Sequence, residues 1–444
     1  MDILFSNISV ITMDERMQVL TDAFVGIEDG KIAWLSKKPP EEKPKKIING
    51  TGMVLMPGLV NCYTDLAQTV LRGFAEDLSQ RDRLEKIYPA LEQMDDRAAK
   101  ASALLGIAQC LRMGITSVSD LGDHADAVAQ AAAEAGIKAN VAQSMTLLSE
   151  EDFDFEENPD CRKLTELKEK WHGYDDGRIV VEAGIQGEYT SAYPLWEAAS
   201  SYAAEEGIGM HLNLSRFDWE KEDCLDRSGL TPAQLLDCHH TFAARTAANH
   251  CCHLEEDDMA LLGKRKVTAV VCAETDKKLC AGQADITRMV KAGMNVAFGT
   301  GAASESGNMD LLRQARDAAI GAKLSCGDPQ LLGAPSVLLM ATVCGAKAQG
   351  RQTQCGMIKL GLDADLIALD FTQPHLIPAH DLMASVAWAA SGNDVCMTMV
   401  RGNILYASGT YETIDLNMLM TELAQHAMPT VFAKKEAETS DEQE

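Results

Sequence analysis

The middle of the chain alternates short apolar runs with longer stretches in which apolar residues recur at helical spacing. Short apolar runs between polar segments are typical of strands that are buried on both faces of a sheet. The predicted strands are Gly58–Cys62, Ile115–Ser119, Ala139–Gln143, Ile179–Gly184, Ile208–Leu214, Ala247–Cys252, Val267–Cys272 and Met294–Phe298. The predicted helices include Asp95–Met113, Ala125–Ala135, Leu195–Glu206 and Asp285–Ala292. This alternation predicts an α/β fold, a (β/α)8 TIM barrel over residues 58–355.

Both ends of the chain have a different pattern, with apolar or alternating runs and few helical stretches. The runs are Ile3–Thr12, Phe24–Glu28 and Lys31–Leu35 at one end, and Asp365–Asp370, Val395–Val400 and Ile404–Tyr406 at the other. Because a few isolated strands seldom fold alone, we expect residues 1–57 and 356–432 to pair into one small β-sandwich domain, with the barrel inserted between them. The alternative is two independent small domains. We expect a terminal helix over Leu416–Met428 and a disordered acidic tail over residues 433–444.

Charge and cysteine content narrow the classes of function. The formal net charge is −26, which disfavours binding to nucleic acid or to an anionic membrane surface. No apolar run reaches the ~18–20 residues that a membrane-spanning helix needs, and no secretory signal is predicted. Thirteen irregularly spaced cysteines fit reduced thiols better than a disulfide framework. We therefore expect an acidic, soluble, cytoplasmic protein.

Several segments, in this order along the chain, resemble the amidohydrolase superfamily. They are Met56–Asn61, Leu71–Leu78, His250–Leu254, Phe298–Ser304 and Asp363–Ile367. Within that superfamily they are most similar to the methylthioadenosine/S-adenosylhomocysteine deaminases and the chlorohydrolases, over about residues 1–430. The resemblance implies a homodimer and a divalent metal, usually zinc, that activates a water molecule in the mouth of the barrel.

The residues at the family's metal positions depart from that pattern. The first strand of a family barrel ends in His-x-His, but the corresponding residues here are Tyr63 and Asp65. The eighth strand of the family supplies an aspartate, at a position that is Gly301 in this chain. Only His250, on the sixth strand, matches the family histidine.

The fifth strand of the family gives a ligand histidine and, three residues later, a proton-transferring glutamate. These positions fall on Asn213 and Arg216, with His211 two residues before the first of them. We therefore expect no metal and no other cofactor. The alternative is an unusual zinc site, for which the candidate ligands are Cys62, Asp65, His211 and His250.

The positions that bind substrate in the adenosine-type deaminases are only partly kept. The purine-stacking tryptophan corresponds to Arg83, the ribose-binding glutamate to Glu92 and a fourth-strand histidine to Gln186. Glu274, Asp276 and Lys277 follow the seventh strand and are further candidates. The predicted ligand-binding residues are Tyr63, Arg83, Glu92, Gln186, His211, Asn213, Glu274 and Gly301.

The family's two carboxylate positions are Gly301 and Arg216 in this chain, so a cation replaces one carboxylate. This exchange leads to a specific hypothesis. The Arg216 guanidinium would occupy the space of the metal and pair with Asp65, because a buried charge without a partner is costly. The alternative is that Arg216 is a solvated loop residue.

Three functions remain open at this point. The first is a metal-free protein that binds a nucleoside, another heterocycle or a partner subunit without hydrolysis. The second is an enzyme with altered chemistry, for which Asp65, His250 and Arg216 are the catalytic candidates. The third is a hydrolase or deaminase that acts on non-peptide C–N bonds of a purine nucleoside or related cyclic amidine, with a non-standard metal site.

Overall fold

The computed structural model describes residues 1–149 and 152–433, and its strands form two sheets. In chain order the strands are β1 Ile3–Ile11, β2 Val19–Glu28, β3 Lys31–Ser36, β4 Lys46–Asn49, β5 Met53–Pro57, β6 Leu59–Thr64, β7 Ile115–Gly122, β8 Lys138–Met145, β9 Ile179–Ile185, β10 Gly209–Leu214, β11 Thr246–His250, β12 Thr268–Val271, β13 Asn295–Phe298, β14 Leu366–Asp370, β15 Val395–Val400, β16 Asn403–Ala407 and β17 Thr410–Tyr411.

Strands β6 to β13 form the predicted barrel. They pair in sequence order, and every pairing is parallel. The first and last strands meet at a seam, where the backbone N–H groups of Thr300 and Gly301 donate to the carbonyl oxygen of Tyr63 at 3.2 and 3.1 Å. The Asn61 side chain closes the same seam, because it donates to the Thr300 hydroxyl and accepts from the Thr300 N–H. All carboxyl ends of the strands therefore lie at one mouth.

The second sheet confirms the prediction that both chain ends build one β unit. Its order is β17-β16-β15-β14-β5-β1-β2-β3, with β4 paired to β1. β5, from the first end, lies antiparallel to β14, from the second. A small core lies within this unit and includes Phe5, Ile8, Leu55 and Met399, all about 1% exposed or less. The barrel, whose chain runs from one half of this sheet to the other, is thereby inserted in it.

Helices follow most of the barrel strands, and two short helices, Ala273–Lys278 and Ala303–Ser306, reach the mouth of the barrel. The helices are α1 Gln80–Glu92, α2 Asp96–Arg112, α3 Ala125–Ala135, α4 Pro159–Trp171, α5 Tyr174–Gly177, α6 Tyr193–Glu205, α7 Asp218–Ser228, α8 Pro232–Cys238, α9 Glu256–Arg265, α10 Ala273–Lys278, α11 Ile286–Lys291, α12 Ala303–Ser306, α13 Leu311–Cys326, α14 Ala334–Ala341, α15 Val343–Ala348, α16 Leu382–Trp388, α17 Leu416–Glu422 and α18 Met428–Val431. In residues 1–149 and 152–433, none of them has the length and apolar character to cross a bilayer. The predicted disordered tail falls on residues 434–444, which lie outside the described residues.

Candidate functional site

Buried polar side chains gather at the mouth of the barrel, where the strands end. Tyr63 and His250 come from the ends of β6 and β11, and Arg216 from the loop after β10. Asp276 lies in α10, which follows β12, and Glu305 in α12, which follows β13. All five are at least nine-tenths buried. Because parallel strands place their carboxyl ends at one face, five separate segments converge on this position.

Arg216 is at the centre of this group. Its Nε donates to Asp276 Oδ1 at 3.2 Å, while Nη1 and Nη2 donate to Glu305 Oε1 and Oε2 at 3.2 and 2.9 Å. Burial alone would lower the pKa of the guanidinium, but Glu305 and Asp276 raise it well above its usual value. Arg216 is therefore a fixed cation.

The predicted pair of Arg216 with Asp65 is wrong. Within residues 1–149 and 152–433, the ion pairs of Arg216 are with Asp276 and Glu305. The alternative, a solvated Arg216, is also wrong because the residue is only 8% exposed. The bidentate geometry of Glu305 explains the difference, since a guanidinium fork matches both oxygens of one carboxylate.

Asp65 lies at the side of this network and has a different environment. Its Oδ2 accepts from Gln68 Nε2 at 2.5 Å. Burial, and then the charges of Asp120 and Asp123, raise its pKa well above the usual value. Burial also raises the pKa of Asp120 to about 7, although Asp120 accepts hydrogen bonds from Leu66 N–H and the Thr64 hydroxyl. These two carboxyl groups are therefore protonated more readily than ordinary aspartates.

Arg83 joins the network from α1. Its Nη1 lies 3.2 Å from Glu305 Oε1, and its Nη2 donates to the Ser304 hydroxyl at 3.1 Å. That hydroxyl donates to Gln68 Oε1, and Gln68 in turn donates to Asp65. The residue at the family's purine-stacking position thus forms ion-pair and hydrogen-bond contacts to protein groups, with only its Nε left without a partner.

His250 and Asp276 form a hydrogen-bonded pair beside the guanidinium. His250 Nδ1 lies 2.8 Å from Asp276 Oδ1, and the residue has an unusual backbone φ of 71° at the end of β11. His250 Nε2 and Asp276 Oδ2 are buried and have no hydrogen-bond partner within the part of the chain that the structure describes. With Nδ1 donating to the carboxylate, Nε2 carries a lone pair that can accept a proton.

Tyr63 packs edge-on between two histidine rings. Its ring centroid is 5.7 Å from that of His211 and 5.4 Å from that of His250. Burial raises the pKa of the phenol well above its usual value. Burial also lowers the pKa of His211, so its imidazole is neutral. Tyr63 therefore occupies a family ligand position as a neutral aromatic side chain.

A row of hydrogen-bonded polar side chains crosses three neighbouring strands at the mouth. His211 Nε2 lies 2.9 Å from Asn249 Oδ1, Asn249 donates to Asn213 at 2.9 Å, and Asn213 donates to Gln186 at 3.3 Å. Asn213 and Gln186 are both partly exposed. They remain predicted ligand-binding residues at the rim of the mouth.

Three other predicted ligand-binding residues do not present side chains to this network. Glu274 forms an ion pair with Arg313 of α13, on the outside of the barrel. Glu92 is exposed at the end of α1. Gly301 contributes only its backbone, with φ 68° and its N–H bonded to Tyr63.

The residues at the mouth do not fit a zinc ion. Zinc sites need three or four thiolate, imidazole or carboxylate ligands in tetrahedral geometry. In residues 1–149 and 152–433, no three His, Cys, Asp or Glu side chains converge in this way. Asp276 and Glu305 instead face the Arg216 guanidinium, and Cys62, the remaining candidate, lies against Val60 and Gly345 carbonyls.

Glu305 is the functional candidate that sequence reasoning missed. It lies four residues after Gly301 in a stretch of small residues, Gly299–Gly307, in which it is the only charged side chain. A lone acidic residue in the loop after the last strand was the available signal. Gln68, which links Asp65 to Ser304, gave no comparable signal.

The chain is similar to known proteins over most of its length. The model of the amidohydrolase family matches residues 54–405. The chain is 33% identical over 411 residues to a 5-methylthioadenosine/S-adenosylhomocysteine deaminase of Moorella thermoacetica, covering 92% of this chain and 95% of that protein. It is 33% identical over 437 residues to a 5'-deoxyadenosine deaminase of Methanosarcina acetivorans, covering 98% of this chain and 100% of that protein.

Solved structures show the same fold. A zinc-bound adenosine deaminase of Xanthomonas campestris superposes with a TM-score of 0.89 at 26% identity, covering 96% of this chain and 97% of the other. The atrazine chlorohydrolase TrzN of Arthrobacter aurescens, at 22% identity, superposes with a TM-score of 0.87 over 97% of this chain and 100% of the other.

Proposed function

The chain belongs to the amidohydrolase family, and from that premise we propose that it is a hydrolase of the deaminase type that acts on a purine nucleoside or related heterocycle. The proposal differs from family chemistry in one respect. The group that activates water is the His250–Asp276 pair of this chain, because its mouth does not offer the ligands of a metal. Full-length similarity to relatives named for adenosine-type substrates supports the substrate class.

The unpartnered Nε2 of His250 is the single observation that carries the proposed chemistry. Asp276 orients the ring through Nδ1 at 2.8 Å, and the Tyr63 ring packs against its edge. In hydrolytic deamination, water adds to the carbon that bears the amino group, and ammonia leaves. His250 Nε2 would accept one proton from that water and return it to the departing amino group, which leaves as ammonia. The second proton stays on the added oxygen and moves to the adjacent ring nitrogen when the product takes its keto form.

The rim is suited to a polar planar ligand. Asn213 and Gln186 carry amide groups at the partly exposed edge of the mouth, and amides can both donate to and accept from a heterocycle. Arg83, at the place of the purine-stacking residue, faces Glu305 and would have to release it to contact a ligand.

Binding without turnover is the second candidate, and a specific observation favours it. Arg83 and Arg216 neutralise Asp276 and Glu305, and all four are at least nine-tenths buried. A mouth that is closed by its own ion pairs resembles a folded core more than an open active site. The names of the relatives favour turnover, so the two candidates must be separated by experiment.

The experiment uses full-length protein that has been treated with a chelator and desalted. Melting temperature is measured with adenosine, 5'-methylthioadenosine, S-adenosylhomocysteine and 5'-deoxyadenosine, since a ligand of the folded state raises it. Ammonia release is measured in parallel. The matched variants are His250→Gln and His239→Gln, the latter ring being outside the mouth and paired with Glu197.

Each result selects one function. Ammonia release that His250→Gln abolishes and His239→Gln retains supports the deaminase. A thermal shift without ammonia supports the binding protein. Activity that needs added zinc contradicts the metal-independent mechanism, and no shift in melting temperature with any nucleoside contradicts the substrate class.

The cytoplasmic location and the homodimer remain predictions. The thirteen cysteines all carry free thiols.

A further inference from the structure

Four buried charges at the mouth balance one another. Arg83 and Arg216 carry two positive charges, and Asp276 and Glu305 carry two negative ones. Their exposed fractions are 3, 8, 1 and 8%, respectively. A buried ion that loses its partner is strongly destabilising, so each of these groups depends on the others.

The two carboxylates are arranged around a planar cation. Glu305 accepts both terminal nitrogens of Arg216 side by side, and Asp276 accepts Nε from another edge of the same plane. The fork–fork geometry is specific to guanidinium and differs from the converging geometry that a small divalent ion requires. In residues 1–149 and 152–433, no three potential ligands approach closely enough for a divalent ion.

We propose that the mouth of the barrel is a binding site for a guanidinium-type cation, and that the side chain of Arg216 is its resident ligand. The cation that the mouth requires is then part of the chain. Asp276 Oδ2 and His250 Nε2, both buried and without a hydrogen-bond partner among the described residues, line the same site.

The first experiment removes the resident cation and supplies one from solution. Arg216→Ala leaves Asp276 and Glu305 without their main partner, so the melting temperature should fall by several degrees. Millimolar methylguanidinium should restore much of that loss. Methylurea, which is planar but uncharged, should not, and the wild-type protein, whose site is filled, should respond to neither compound.

Two results would overturn the proposal at this step. If Zn²⁺ or Mn²⁺ restores the melting temperature of Arg216→Ala as well as methylguanidinium does, the site is a general cation site. If methylurea restores it equally, the effect is the filling of a cavity. In Arg216→Ala/Glu305→Gln the bidentate acceptor is gone, and the response to methylguanidinium should be lost.

The second experiment does not depend on the recovery of Arg216→Ala. Arg216→Met leaves one net negative charge among the four groups, and Glu305→Gln leaves one net positive charge. In the double variant Arg216→Met/Glu305→Gln the four groups carry no net charge, so its melting temperature should be higher than that of Arg216→Met. A double variant that melts below both single variants, or that fails to fold when they do fold, contradicts the proposal. Neither experiment measures turnover, so the result is independent of the proposed deaminase activity.

Discussion

The Arg216 guanidinium and the Glu305 carboxylate form two parallel hydrogen bonds, at 3.2 and 2.9 Å, inside the mouth of the barrel. Burial alone would raise the pKa of Glu305, but Arg216 and then Arg83 outweigh burial and lower the pKa to about 2. The pair therefore makes the stability of the protein depend on pH in the acid range.

We expect Glu305 to stabilise the folded state above pH ~4.3, the usual pKa of an unfolded glutamate, and this contribution to disappear as the pH falls through about 2. The contribution is on the order of 3 kcal/mol. Urea unfolding at pH 6 and pH 3 should detect about half of it, because pH 3 lies between the folded and unfolded pKa values. Glu305→Gln should be less stable at pH 6 and lose less on acidification, whereas Glu222→Gln, an exposed change on α7, should follow the wild-type protein. An unchanged acid slope in Glu305→Gln would contradict this assignment.

Asp120 should act in the opposite direction. Burial raises its pKa to about 7, so its contribution is fully present below pH ~4 and is lost as the pH rises through about 7. Asn can keep both accepted hydrogen bonds, from Leu66 N–H and the Thr64 hydroxyl, without a charge. Asp120→Asn should therefore flatten the decline of the unfolding free energy between pH 5 and pH 7.5. Asp223→Asn, on the exposed face of α7, is the control, and an equal slope in both variants would refute the prediction.

A buried amide joins β6 to the residues after β13, in addition to the two backbone hydrogen bonds at this seam. Asn61 donates to the Thr300 hydroxyl at 2.8 Å and accepts from the Thr300 N–H at 3.1 Å. Asn61→Ala leaves buried polar groups with fewer partners, and we expect a loss of about 2–3 kcal/mol in the free energy of unfolding. Asn417→Ala on an exposed surface should change it by less than ~0.5 kcal/mol. Equal effects of the two substitutions would show that the seam does not rely on this amide.

Thiol labelling should separate the cysteines by burial. Cys238, Cys280 and Cys326 are exposed, and the other ten thiols are buried or partly buried. Burial raises the pKa of buried thiols such as Cys110, which disfavours the reactive thiolate. Iodoacetamide at pH 7.5 should first modify the three exposed residues, and all thirteen in urea, as read by peptide mass spectrometry. Early modification of Cys62 or Cys251 would mean that the barrel opens readily.

The eight strands and the inserted barrel could be predicted because they depend on local patterns. An apolar run such as Val267–Cys272 predicts a buried strand by its own composition, whichever strands lie next to it. The mismatch with the family's first motif was also evident, since Tyr63 lies on the first barrel strand, where the family has a histidine.

The partners of Arg216 could not be predicted in the same way. Asp276 and Glu305 lie 60 and 89 residues away in sequence, in the short helices α10 and α12 that follow two later strands. Asp65 directly follows β6, where the family motif lies, and so it was the natural candidate. The choice between the carboxylates depends on which loop presents both oxygens to the guanidinium, and this depends on the backbone of α12.

The closed network at the mouth has a kinetic consequence. Arg83, Arg216 and Glu305 come from α1, the loop after β10 and α12, so their ion pairs join three segments that would have to separate before a ligand reaches His250. Binding is then gated: its observed rate levels off at high ligand concentration at the rate of opening. The apparent affinity equals the intrinsic affinity multiplied by the fraction of molecules that are open at any moment.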